Sequence, residues 1–292
     1  MKITSYGSSS AGNCYFVDFE VEHYLSSQFN ILIDIGVNIT TKKSDPNFIK
    51  FALVRYLFIS HEHIDHTKYL KQFLDFNSLA TVIIHPECLK SLYDKQPSLR
   101  FYHKRFQLLM PPQLTYESFP LDIKDTDSSL KVYPIKVEHN SKANNGYFIT
   151  LDTNVFPKRR VFFITDCGSI KVNQFINEDI SAADIYLIES NHPEGLIVKD
   201  LKTEIQASRL GHFNSTQALQ LVDFLKRHID SKIEQKVVWI HTSSWFYETL
   251  SKTDPFGFRF HPINTETIQM SWIWQKKKFR EQNKVKTQKT QS

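Results

Sequence analysis

The chain has 292 residues, 41% of them hydrophobic and 23% charged, with 23 Phe; it can bury a core as one large domain or two small ones, and a disordered protein is excluded. The net charge of +5 is uneven, since Gln275 to Ser292 holds seven Lys/Arg against the single Glu281. The body is therefore close to neutral, and the basic tail reads either as a solvated, frayed end or as a nucleic-acid contact. Cys14, Cys88 and Cys167 are far apart and in no CxxC pair, which argues for a reducing compartment and against a disulfide framework or a thiolate zinc site. The N-terminus has no signal-peptide run, and no apolar stretch approaches the roughly 20 residues that span a bilayer. A cytoplasmic protein without membrane contact is expected.

In chain order, Ile3 to Tyr6 reads as a short strand entering a polar turn, Gly7 to Asn13. Cys14 to Phe19 and Asn30 to Ile35 read as strands joined by a long polar loop around 22–28. Val54 to Ile59 is almost wholly apolar, as expected of a strand covered on both faces. Thr67 to Phe76 has helical spacing, with Leu70, Phe73 and Leu74 on one side. Ala80 to Ile84 is a further strand, stopped by His85-Pro86, and Glu87 to Tyr93 reads as helix. Residues 95–114, with Pro97, Pro111 and Pro112, read mostly as connection. Strands are predicted at Leu114 to Phe119, Leu130 to Val137, Gly146 to Leu151, Arg160 to Thr165, Ile185 to Glu189 and Val237 to Ile240. Ser215 to Arg227 places Ala218, Leu221, Val222 and Leu225 at helical intervals. Strands in blocks on both sides of short helices fit two mixed sheets stacked face to face with helices outside.

Within Ser60-His61-Glu62-His63-Ile64-Asp65-His66, three imidazoles and a carboxylate crowd the end of a buried strand. Such a cluster is awkward to bury unless a cation sits among the nitrogens. The same habit recurs: Val132 to Glu138 leads to His139, Val161 to Thr165 leads to Asp166, and Val237 to Ile240 leads to His241. Strand ends in one layer lie side by side, so these residues are expected to converge on a common rim, where active sites tend to sit. Gly7, Gly12, Gly36, Gly168 and Gly211 all flank these motifs, which fits tight turns at a crowded edge.

His61-Glu62-His63-Ile64-Asp65-His66 matches the HxHxDH signature of the metallo-β-lactamase-fold hydrolases, with His139, Asp166 and His241 following in the family's order and Leu32-Ile33-Asp34-Ile35-Gly36 resembling its LIDxG strand end. The resemblance covers roughly residues 1–245 and implies an α/β, four-layer αββα sandwich. Gly7 to Cys14 and Ser190-Asn191-His192 resemble small stand-alone bacterial exonuclease-like members of the superfamily. Gly211-His212-Phe213-Asn214-Ser215 to Ala218 looks like an element shared with ribonuclease Z, in which an acid at the position of Glu189 partners the histidine. These resemblances point to phosphodiesterase branches. Ser60 stands where the family usually has Thr, and residues 245–274, with Trp245, Trp272 and Trp274, match nothing known. The expected organisation is a catalytic domain over 1–245, an aromatic extension over 246–274 packed on it, and a flexible basic tail over 275–292.

The resemblance implies that His61, His63 and His139 hold one zinc, and Asp65, His66 and His241 another, with Asp166 bridging; Mn²⁺ is an alternative metal. Such a pair makes hydroxide available near neutral pH and neutralises charge on a phosphoryl oxygen. Asp65 has a second possible task in orienting that hydroxide. Asp34 reads as a partner that holds a histidine tautomer, not as a ligand. His212 has the pKa range of a general acid for a leaving alkoxide, with Glu189 keeping it charged; the plain alternative is a cap for the helix beginning near Ser215. His192 reads either as lining the site or as loop, and His23, His85, His103, His228 and His261 carry no role. The expected function is a dinuclear-zinc phosphodiesterase or nuclease acting on nucleic acid. Alternatives are a cyclic- or oligonucleotide phosphodiesterase, a thioester or lactone hydrolase on the same fold, or a fold relic that binds a partner. A homodimer is a further possibility.

Overall fold

In the computed structural model the described residues are 1–19, 30–111, 121–125, 128–154, 157–171, 183–192, 194, 208, 210–227 and 236–241. The predicted loop around 22–28, the strand at 114–119 and everything from Thr242 onward lie outside them, as do His23, His228 and His261.

Two sheets carry the fold. The first is built from β1 (Lys2–Ser9), β2 (Gly12–Asp18), β3 (Ile31–Ile33), β4 (Tyr56–Phe58), β5 (Thr81–Ile84) and β6 (Phe106–Leu108), in that spatial order. Its first three strands are antiparallel neighbours, and β3 to β6 run parallel. The second sheet contains β7 (Leu121–Asp125), β8 (Ser128–Glu138), β9 (Asn144–Thr153), β10 (Arg159–Ile164), β11 (Ser169–Ile170), β12 (Ile185–Glu189) and β13 (Lys236–Ile240). Its order is β11-β8-β9-β10-β12-β13, with β7 against β8. β10, β12 and β13 are parallel, so their carboxyl ends share one edge. The helices are α1 (Phe48–Leu53), α2 (Ile64–Thr67), α3 (Leu70–Phe76), α4 (Pro86–Lys95) and α5 (Ser215–Arg227), with a 3₁₀ segment over Pro97–Arg105.

Side-chain alternation divides the apolar residues among three cores. Ile31 and Ile33 of β3, Phe58 of β4, Val161 and Phe163 of β10, and Ile185 and Leu187 of β12 meet between the sheets. The intervening residues face outward. Leu32 and Leu57 pack beneath α1, α3 and α4 with Phe51, Phe73 and Leu89. Phe162, Ile164, Tyr186 and Ile188 pack beneath α5 with Ala218, Leu221, Val222 and Leu225. Strands that are apolar at every position are thus explained by burial on both faces, and the layers run helix, sheet, sheet, helix. All three cysteines are buried and unpaired.

Several local expectations need correction. β1 continues to Ser9, so the stretch from Gly7 is mostly strand with a tight turn at Ser10-Ala11. The segment read as connection over 95–114 contains the 3₁₀ turns and the edge strand β6. Pro97 opens the 3₁₀ segment, and Arg105 anchors it by donating to the carbonyls of Leu74 and Ala80. The helix read from Thr67 is two pieces, the first already formed at Ile64. Helix α1 was not anticipated; it is short, and only Phe51 of its six residues is buried.

One close approach fixes how the motif loop docks. A Cβ placed on Gly36 would lie 1.6 Å from the carbonyl oxygen of Asp65 and 2.8 Å from the backbone nitrogen of Asn13. The chain closes this contact with Gly36 N–H donating to Asn13 O and Ile35 N–H donating to His66 O, each at 2.7 Å. No side chain fits between three backbones so arranged. Gly36→Ala is therefore expected to lower stability by about 3 kcal/mol or more, measured as a fall in Tm and in the urea midpoint; a melt matching wild type would contradict this packing.

Candidate metal centre

The strand ends are bent into the site by three residues in left-handed backbone: Asp34 (φ 59°), Asp166 (φ 49°) and His241 (φ 53°). Such conformations are uncommon outside glycine and persist where the surroundings over-determine them. Here they do. Asp34 N–H donates to Phe58 O (2.8 Å), Asn144 Nδ2 donates to the carbonyls of Thr165 and Asp166 (3.1 and 2.8 Å), and His241 is held by Ser8 Oγ on its N–H (2.7 Å) and by Asn191 Nδ2 on its carbonyl (2.8 Å).

His61 and His63 stand two apart before α2, which places their rings together, centroids 4.5 Å apart. The ring of His139, from the end of β8, closes the triangle at 5.1 and 5.2 Å. The single turn of α2 then redirects Asp65 and His66 toward Asp166 and His241. Three overlapping groups result: His61, His63 and His139; Asp65, His66, Asp166 and His241; and Asp166, Glu189, His212 and His241, with ligand-type atoms within 4.8 Å of one another in each.

Most of these rings are tied at Nδ1 by the scaffold. His66 Nδ1 meets Asp34 Oδ2 at 2.7 Å, His139 Nδ1 meets the Gly211 carbonyl at 2.9 Å, and His241 Nδ1 meets Glu189 Oε1 at 2.9 Å. An oxygen acceptor obliges Nδ1 to carry the hydrogen, so in the neutral ring, the form that binds metal, Nε2 keeps its lone pair. His61 Nδ1 sits 3.1 Å from Ser60 Oγ, whose hydroxyl donates to Asp34. The Nε2 atoms of His61 and His241 are buried with no hydrogen-bond partner. Buried polar atoms are rarely orphaned; one lies in each of the first two groups, and an imidazole lone pair there is what a divalent metal requires. The donor set fits bound metal.

Electrostatics separates the groups. Burial, with imidazole neighbours adding to it, holds His61, His63 and His139 below the ordinary histidine range, so they favour the neutral form that ligates. For His66 and His241 burial also opposes charge, but neighbouring carboxylates outweigh it: Asp166 and Asp34 raise His66, and Asp166, Asp65 and Glu189 push His241 up to about 10. Burial works against ionised Asp65, Asp166 and Glu189 as well, yet the facing imidazoles keep all three below the usual carboxylate range.

His212 is now placed. Its Nδ1 lies 2.7 Å from Glu189 Oε1, the same oxygen that holds His241. The other Glu189 oxygen accepts from Cys167 N–H and Phe213 N–H. Burial opposes the His212 cation and Glu189 outweighs it, raising the pKa. The helix-cap alternative is corrected: α5 is capped by Asn214 and Gln217, whose side chains bond each other's backbone N–H at 2.8 and 2.9 Å. His192 belongs to none of the three groups; it is buried, with Nε2 3.3 Å from the His212 carbonyl. His85 caps α4, and His103 bonds the Arg100 carbonyl.

The expectation that all ligand-type residues share one sheet layer is also corrected. His61 to His66 follow the first sheet and His139, Asp166, Glu189 and His241 the second, so the groups form where the two sheets meet. Tyr147 Oη donates to Ile59 O at 2.6 Å and Asn145 N–H to Ser60 O at 3.0 Å across that junction. Sequence reasoning missed Asn13, Ser8, Asn144 and Asn191 as supports. Gly7 to Asn13 did stand out as a motif, but nothing in its composition shows that it faces metal ligands.

The sequence profile of the family described as "Beta-lactamase superfamily domain" matches residues 29–242. Among solved structures, the chain is similar to the metallo-beta-lactamase fold protein YhfI from Bacillus subtilis, with TM-score 0.55 at 14% identity over 86% of this chain and 89% of that one. Unliganded yeast PDE1 gives TM-score 0.55 at 14% identity, covering 83% and 88%. A long-form RNase Z from yeast gives 0.56 at 14% identity, covering 83% of this chain but 37% of that one. At this identity the likeness speaks for the fold. No curated protein sequence matches. No helix among the described residues is long and apolar enough to cross a membrane.

Asp34 is buried and accepts from Ser60 N–H (2.8 Å) as well as from His66. Asp34→Ala is expected to weaken metal affinity about 10- to 100-fold by releasing the His66 tautomer, read by chelator competition. Unchanged affinity would show that the ring needs no such partner.

Proposed function

The chain belongs to the β-lactamase superfamily, and on that premise we propose that it is a phosphodiesterase or nuclease working on nucleic-acid phosphodiesters. Family and fold imply a metal-dependent hydrolase. In this reading His61, His63 and His139 would hold one ion, and Asp65, His66 and His241 a second, with Asp166 as a further carboxylate ligand. Two Zn²⁺ ions suit the imidazole-rich donor set, and Mn²⁺ is the second choice. When bound, such a pair supplies Lewis-acid chemistry, making water acidic and neutralising charge on a phosphoryl oxygen.

The protein's own residues do the rest. The hydrogen bonds of Asp34, Ser60, Gly211 and Glu189 orient the rings before substrate arrives. Asp65, with its carboxylate kept ionised, accepts a hydrogen bond from the attacking hydroxide, formed once water has lost a proton to solvent, and aims it at phosphorus. As the new P–O bond forms, the bond to the leaving oxygen breaks, and that oxygen needs a proton. His212 provides it from Nε2, since Nδ1 is committed to Glu189.

The observation that carries this reading is the His212–Glu189 pair. Glu189 is fully buried, whereas the His212 side chain is 20% exposed, so the ion pair has its acid partner inside and its donor at the edge of the site. A poor leaving group needs such a donor. A thioester or lactone hydrolase has less use for it, and that alternative is weaker for this reason. Cyclic- or oligonucleotide substrates present the same phosphodiester, and the near-neutral body favours them over long duplexes.

His212→Ala should keep its metal and lose about 10²- to 10⁴-fold in kcat on an unactivated dinucleotide. On bis-p-nitrophenyl phosphate, whose leaving group needs no proton, the loss should be far smaller. Equal losses on the two substrates would remove the general-acid role.

A further inference from the structure

The hairpin of β1 and β2 plays no part in the reading above, yet it enters the metal centre. Asn13 is fully buried. Its Nδ2 lies 3.1 Å from the Ser9 carbonyl, 3.3 Å from Asp65 Oδ2 and 3.0 Å from His66 Nε2. Ser9 O and Asp65 Oδ2 can only accept, so the amide must present its NH₂ to them; the reverse orientation would set oxygen against oxygen. One N–H is anchored on Ser9, within the hairpin, and the other is aimed at the ligand-type atoms. Asn13 Oδ1 is 3.4 Å from Tyr15 Oη, which lies 2.8 Å from Ser8 Oγ, and Ser8 Oγ accepts the N–H of His241.

We propose that Asn13 is a positioning residue for the metal centre: its amide holds Asp65 in place, and Tyr15 and Ser8 extend the same constraint to the left-handed backbone of His241. This rests on the metal-centre reading above. The amide nitrogen has no lone pair to give a metal, so Asn13 is a donor and not a ligand. When His66 Nε2 turns its lone pair to an ion, Asp65 and Ser9 remain as the acceptors. Asp65 lies in α2, which follows the first sheet, and His241 follows β13 of the second; both belong to the second group. The relay therefore sets the spacing of that group, while His61 and His139 are held by Ser60 and the Gly211 carbonyl. Ser8 Oγ and Asn13 Nδ2 are committed inward and so are not free to bind a substrate phosphate.

The test is titration of the metal-stripped full chain with cobalt(II), followed by its visible absorption, for wild type, Asn13→Ala and Tyr15→Phe, with phosphodiester kinetics run alongside. Asn13→Ala is expected to weaken one of two cobalt-binding steps about 10- to 100-fold and leave the other within twofold. kcat should fall while KM changes less than twofold. Tyr15→Phe, which removes one hydroxyl and keeps the ring, should shift the same step in the same direction by a smaller factor.

Equal weakening of both steps with a matching drop in Tm would overturn the proposal in favour of general packing. Unchanged cobalt binding with a raised KM would overturn it in favour of a substrate contact. A wild-type protein that binds two cobalt ions but cleaves no phosphodiester would refute the substrate reading alone, and the cobalt steps would still decide the role of Asn13. A wild-type protein that takes up no cobalt would sink both.

Discussion

Buried imidazole is tolerable only when each ring nitrogen has something to do, and this constraint organises the site. Asp34 takes Nδ1 of His66, Gly211 that of His139, Glu189 those of both His212 and His241, and Ser60 that of His61. Each partner sits on rigid backbone at a strand end or beside one. The left-handed residues Asp34, Asp166 and His241 follow from it, since each strand must turn sharply to aim its polar end at a common point. The strain is local, and hydrogen bonds to neighbouring strands and loops hold it in place.

The second condition is that two sheets meet at one end. The ligand-type residues are divided between them, so neither sheet alone assembles a complete group containing Asp65, His66, Asp166 and His241. Close backbone packing beside the first sheet and hydrogen bonds between the sheets hold that end together. Gly36 lets the α2 turn lie directly on the β1–β2 hairpin, and Tyr147 and Asn145 bond across to the chain before His61. The central apolar core between the sheets supports this junction. It lies immediately beneath the polar cluster, which keeps the dielectric low and the ion pairs strong.

Function divides along similar lines. The imidazole-carboxylate groups belong to the general chemistry of a metal-dependent hydrolase. The shared oxygen of Glu189 distinguishes this site further, because it links a histidine suited to acid catalysis with a histidine suited to metal binding. A carboxylate so placed fixes the two rings relative to each other.

The sequence by itself determined the layered architecture, because strands buried on both faces read as unbroken apolar runs. It also determined the ligand-type residues, because HxHxDH and the polar residues closing four strands are local patterns. Glu189 and His212 were legible as a pair only through resemblance. The tertiary structure alone decided which residues stand together and what holds them. Asn13, Ser8, Asn144 and Asn191 act through contacts 21 to 233 residues away along the chain, and no periodicity encodes such distances. The edge strand β6 and the short helix α1 escaped notice because neither has the length to show a period. The cap on α5 turned on whether Asn214 or His212 faced the helix, which only the path of the backbone settles. Local pattern records what each residue faces along its own strand; which atoms meet across two sheets is a property of the packed chain.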